Sequence, residues 1–114
     1  MRVFLMILWL FPTWPAFAAS LPNYDITITD GKFAPEKIEV PAGQRFKITV
    51  RNAGNGPAEF ENLAMRVEKV LGSNVQSSVV IHPLKPGIYH FIDEFHMDMP
   101  GFDIFAKEQT EGQQ

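Results

Sequence analysis

The sequence predicts an all-β fold, a β-sandwich of seven or eight short strands, and three observations carry that expectation. Apolar and polar residues alternate with period two in run after run, the pattern of a strand with one buried face. Clusters of Gly, Pro, Asn and Asp separate these runs at short intervals. No segment beyond the first residues reads as a long helix, and many short strands punctuated by turns build a sandwich.

Taken in order, Tyr24 to Thr29 alternates cleanly, and Asp30-Gly31 is a turn pair. Phe33 to Val40 reads as one edge strand, because Pro35 cannot donate to a ladder. After the Pro41 to Gly43 turn, Arg45 to Arg51 places Phe46, Ile48 and Val50 on an inner face. Asn52 to Pro57 is a loop. Glu59 to Met65 resumes the alternation, with Glu59, Glu61, Leu63 and Met65 on one face. Arg66 to Leu71 fits a helical turn or a strand equally, Gly72 to Asn74 breaks it, and Val75 to Ile81 is a strand. Leu84 to Gly87 turns into a run with Tyr89, Phe91 and Asp93 on one face and Ile88, His90 and Ile92 on the other. Beyond Gly101, Phe102, Ile104 and Ala106 share the inner face of a last strand.

The first residues have the form of an export signal. Arg2 is a short positive region, Val3 to Phe11 is uninterruptedly apolar, and Ala16-Phe17-Ala18 is a small-x-small cleavage signal. The apolar run is shorter than the roughly 20 residues that span a bilayer. Residues 1–18 are therefore expected to be removed after Ala18, leaving a soluble exported chain with no membrane insertion. The remaining 96 residues form one domain over 19–106, with a polar, frayed tail at 107–114. The whole chain carries a net charge of −3, and losing Arg2 makes it more acidic. That balance disfavours nucleic acid, whose phosphates need clustered Lys and Arg. With no cysteine, stability must come from an apolar core fed by ten Phe, from a bound metal, or from both.

The chemistry concentrates between Tyr89 and Gly101. The spacing Asp93-x-x-His96-x-x-Met99-x-Gly101 presents a carboxylate, an imidazole and a thioether from one connection pinned by a strand at each end. His96 anchors any metal proposal, since neutral imidazole binds Cu, Zn and Fe alike. Asp93 can be a ligand or a turn residue capping loop amides. Met99 can be a soft axial ligand or loop packing. Glu59 and Glu61 can wall the same site or form a solvated sheet edge. Together these donors form a mostly hard set suited to Fe(II), Mn(II) or Cu(II), with Met99 extending it to Cu(I). His82 and His90 are expected outside the site. Ser73, Ser77 and Ser78 lack a His and acid pattern, and no Gly-rich phosphate loop precedes a helix.

Val40-Pro-Ala-Gly43, Asn52 closing the next strand, Leu84-Lys-Pro-Gly-Ile-Tyr-His-Phe91 and the 93–101 loop together resemble a cupredoxin over roughly Ile26 to Ala106. The resemblance implies a Greek-key sandwich, but Asp93 stands where a blue-copper protein has its cysteine, and Glu59 or Glu61 where it has its earlier histidine. Without a thiolate there is no blue-copper site. Ala58-Glu-Phe-Glu61, Glu68-Lys69 and Asp93-Glu-Phe-His96 are similar to the small cupredoxin-like proteins of bacterial periplasmic ferrous iron uptake systems. That resemblance implies a periplasmic protein with copper as bound metal, iron as substrate and a ferroxidase-like activity. It also implies two partners, an iron permease and a periplasmic metal-binding protein. It carries to Asp93 and His96, then to Glu59, Glu61 and Met99. A copper carrier without turnover and a docking module without metal are the alternatives.

Overall fold

The structure, a computed structural model, describes residues 2–13 and 20–110. The Ala16-Phe17-Ala18 signal and residues 111–114 lie outside the described residues. Among those described, no helix is long and apolar enough to cross a membrane.

Among the described residues nine strands follow one another: β1 (Asn23–Thr29), β2 (Lys32–Ala34), β3 (Lys37–Pro41), β4 (Phe46–Asn52), β5 (Ala58–Asn62), β6 (Val67–Leu71), β7 (Gln76–Ile81), β8 (Gly87–Phe91) and β9 (Phe102–Lys107). One sheet has the order β2-β1-β4-β7 and the other β3-β9-β8, with β5 and β6 forming a separate pair. Strands β1 and β4 run parallel, as do β3 and β9, and the remaining neighbours are antiparallel. Glu61 and Ile92 exchange backbone hydrogen bonds of 3.1 and 3.0 Å, which ties β5 to the segment leaving β8.

The count exceeds the expected seven or eight because the Phe33 to Val40 run is two strands. It breaks after Ala34, so that β2 edges one sheet while β3 edges the other. Pro35, with Glu36 after it, interrupts the ladder, and the chain uses the interruption to cross from layer to layer. The Glu59 to Met65 alternation likewise stops at Asn62. Its side-chain oxygen accepts from the Met65 N–H at 3.0 Å and caps a 3-10 turn over Leu63–Met65, leaving Leu63 exposed. The segment from Arg66, left open by its sequence, begins with Arg66 in the left-handed region and continues as β6.

The core joins inner faces of both sheets: Ile26, Ile28, Ile48 and Val50 on one side, and Ile38, Val40, Phe91, Phe102 and Ile104 on the other. Four phenylalanines mass at its end. Phe60 stacks on Phe91 at 4.4 Å between ring centroids, and Phe33 stacks on Phe102 at 5.9 Å. Such aromatic pairs add to the stabilisation from burial alone. Because Phe60 points into this cluster, period-two geometry turns its neighbours Glu59 and Glu61 to the other face of β5.

Candidate metal centre

That other face is covered. Every residue from Ala58 to Glu61 is buried, and Glu59 and Glu61 are only 2% and 3% exposed. The cover is the connection from β8 to β9, which forms a 3-10 turn over Glu94–His96. Asp93 starts the turn and is 2% exposed. Its Oδ1 accepts the Phe95 N–H at 3.0 Å as a helix cap, and the buried Glu59 N–H at 3.1 Å. Its Oδ2 meets His96 Nδ1 at 3.0 Å. A carboxylate only accepts, so Nδ1 carries the ring proton and Nε2 is the nitrogen left for a metal. Asp93 thus staples the loop to β5 and orients the imidazole, and both of its oxygens are engaged in doing so.

His96 is half-buried, and so is Met99. Both press against the β1–β2 turn at Gly31, whose φ is +85°. A Cβ there would collide with His96 Cβ and come within 2.9 Å of Met99 Cγ, so glycine is required by the backbone and by the contact alike. Gly101, at φ +80°, closes the loop where a Cβ would strike the Phe91 carbonyl.

The carboxylates make a group of their own. One ligand oxygen each from Glu59, Glu61 and Glu94 lie within 4.8 Å of one another, and neither Asp93 nor His96 belongs to this group. Glu61 Oε2 is buried with no hydrogen-bond partner. Burial pushes the Glu59 carboxyl up to about 7, reinforced by a hydrogen bond and charge repulsion from Glu61 and by the charges of Glu94 and Glu68. Burial also raises Glu61, as do the charges of Glu94 and Glu68, while its hydrogen bond with Glu59 acts in the opposite sense. Two buried acids this close share a proton or hold a cation.

Of the residues marked in the sequence, Glu59 and Glu61 therefore lie together. Asp93 joins the Glu59 backbone to the His96 ring, and His96 and Met99 lie together over Gly31. His90 and His82 are exposed, with His90 Nδ1 paired to Asp103 Oδ1 at 2.7 Å. The sequence pattern gives neither Glu94 nor the contact that Gly31 makes. Glu94 falls opposite Asp93 in a period-two reading, and only the 3-10 turn brings it to the acids; an acid directly after a helix-capping Asp was the available signal. Gly31 was recognised as a turn residue, but its contact lies sixty-five positions along the chain.

A family model described as a cupredoxin-like domain matches residues 2–104. The chain belongs to the cupredoxin-like domain family. An uncharacterized protein of Rickettsia prowazekii (strain Madrid E) is 36% identical over 73 residues, 64% of this chain and 58% of that protein. This cupredoxin-like chain thus spans little more than half the length of that relative. Among solved structures it resembles the metal-binding domain of the Streptococcus pneumoniae D39 Cu(I) exporting P-type ATPase CopA with Cu(I). There the TM-score is 0.66 at 18% identity, covering 75% of this chain and 85% of that one. Dithionite-reduced auracyanin of Roseiflexus castenholzii gives a TM-score of 0.62 at 16% identity, covering 79% and 99%. At these identities the likeness is one of fold.

The donor set decides which metal the site suits. With no cysteine anywhere in the chain, it does not fit a blue-copper centre. The orphaned buried carboxylate oxygen beside two more carboxylates fits a divalent first-row cation, and the oriented His96 imidazole with the Met99 thioether in the covering loop fits copper, Cu(II) included.

Proposed function

We propose that this cupredoxin-like protein is exported to the periplasm through a cleaved segment 1–18 and handles metal in ferrous iron uptake, oxidising Fe(II) with the help of copper and passing the product to a permease. One observation carries the reading: the buried pair Glu59 and Glu61, with Glu61 Oε2 unpartnered, under the loop that bears His96. Copper, if held there, would supply a one-electron acceptor, one Cu(II) being needed for each Fe(II) oxidised. In this reading His96, oriented by Asp93, and Met99 are the residues for copper. The carboxylates stabilise the higher charge of the oxidised iron. A periplasmic metal-binding partner and the permease meet the protein at this end, where Phe95 and Met97 are 51% and 67% exposed on the loop.

The test is anaerobic mixing of copper-loaded protein with Fe(II), following the Cu(II) EPR signal and Fe(III) formation together. Loss of one Cu(II) per Fe(III) formed is expected, and His96→Ala should bind copper weakly while remaining folded. Copper binding without electron transfer would leave a carrier. No metal binding above that of free histidine would leave a docking module.

A further inference from the structure

The loop between β8 and β9 carries two kinds of donor, and they do not converge. His96 is tied through Nδ1 to Asp93 and packs with Met99 over Gly31. Glu94 begins the same 3-10 turn, yet its carboxylate gathers with Glu59 and Glu61 in a group that excludes the imidazole. Asp93 separates them, its two oxygens being committed to Glu59 N–H, Phe95 N–H and His96 Nδ1.

We propose that Glu59, Glu61 and Glu94 form a second cation site, independent of His96, that takes an oxygen-seeking cation such as Fe(II), Fe(III) or Mn(II). The proposal rests on the metal-handling reading above and assigns its iron a place of its own. Three features support it beyond the acidity of the cluster. Glu61 is only 3% exposed and shares the group with Glu59 and Glu94, and its Oε2 has no partner, so one carboxylate oxygen of the cluster is already desolvated with its bonding capacity unused. Among the described residues, none of the ion pairs involves Glu59, Glu61 or Glu94, so no Lys or Arg occupies the position a cation would take. An open groove of about 240 Å³, lined by Glu61 and Glu94 with Asn62, Leu63, His90 and Ile92, gives the cluster access to solvent.

The chemistry follows from hardness. Three carboxylates without nitrogen or sulfur select hard cations, whereas an imidazole beside a thioether favours copper. Glu94 is exposed, so it can join a cation arriving through the groove and complete a shell that Glu59 and Glu61 begin. Asp93 bonds both the Glu59 backbone and the His96 ring, so substrate and acceptor would sit on either side of it, between β5 and the covering loop.

The experiment uses Mn(II) as a redox-inert probe. Its free-ion EPR signal is titrated with wild-type protein, Glu94→Gln and His96→Ala, and Cu(II) affinity is measured for the same three by competition. Wild type should bind one Mn(II). Glu94→Gln, an exposed and isosteric change, should weaken Mn(II) about tenfold or more by removing one of three ligand charges, with copper affinity unchanged. His96→Ala should show the reverse. Wild type that binds copper but not Mn(II) would overturn this inference while leaving the copper reading intact. So would equal weakening of Mn(II) by both variants, which would mean a single shared site. Wild type that binds neither metal would overturn both.

Discussion

Replacing Asp93 separates the two roles the structure gives it. In Asp93→Ala the buried Glu59 N–H loses its acceptor, a cost of about 1–3 kcal/mol for an orphaned donor. The Phe95 N–H loses its cap, which costs about 1 kcal/mol more. The sum, about 2–4 kcal/mol, is a large share of the stability of a domain this size. Asp93→Asn keeps an oxygen at Oδ1 for both amides, so its loss should stay below about 1 kcal/mol. Its new amide, however, puts donors opposite His96 Nδ1, and the ring relieves the clash by moving its proton to Nε2, the nitrogen needed for metal. Copper affinity should then fall about 10–100-fold, the usual loss when a ligand histidine's partner is removed. Urea unfolding gives the first quantity, and competition against a chelator of known affinity gives the second. A folded Asp93→Asn protein with wild-type copper affinity would refute the claim that Asp93 acts by orienting His96. Equal destabilisation by Asn and Ala would refute the claim that Oδ1 acts by accepting amide hydrogens.

Gly31→Ala, strained by the positive φ and blocked by His96 and Met99, should lower copper affinity and shift the His96 ring resonances in NMR; unchanged resonances would count against that contact. The metal-free protein should lose stability as pH rises from about 4.5 to about 7. In that window the folded Glu59, with its raised pKa, still holds a proton that the unfolded chain has released. The stabilisation is complete below the unfolded value and gone above the folded one. Thermal melts across pH 4.5–8 check this, and Glu59→Gln should flatten the profile. Phe60→Ala removes the ring stacked on Phe91 beneath both acids and should cost about 3–5 kcal/mol in denaturant unfolding.

Much of the fold is legible in the sequence because it rests on local pattern. The Phe102, Ile104 and Ala106 face, the inward Phe46, Ile48 and Val50, and the Asp30-Gly31 turn all follow from period two and turn chemistry, and all are found. What a local pattern lacks is partnership between distant segments. Alternation across Phe33 to Val40 says nothing about which sheet each half joins, and the chain divides it between two. At the site, Glu59 and Glu61 stand out because acids flank a core phenylalanine. Their grouping with Glu94 depends on a 3-10 turn of three residues, whose geometry is set by the Asp93 cap and the closing Gly101 rather than by any periodicity.

Anomalous diffraction from crystals loaded with Mn(II) and Cu(II), each recorded at its own absorption edge, tests the central claim most directly. The manganese peak should fall among the Glu59, Glu61 and Glu94 carboxylates, filling the vacant bond of Glu61 Oε2, with the copper peak at His96 Nε2. A map in which fully loaded protein leaves the carboxylates without a cation, or in which both metals occupy one position on His96, would contradict it.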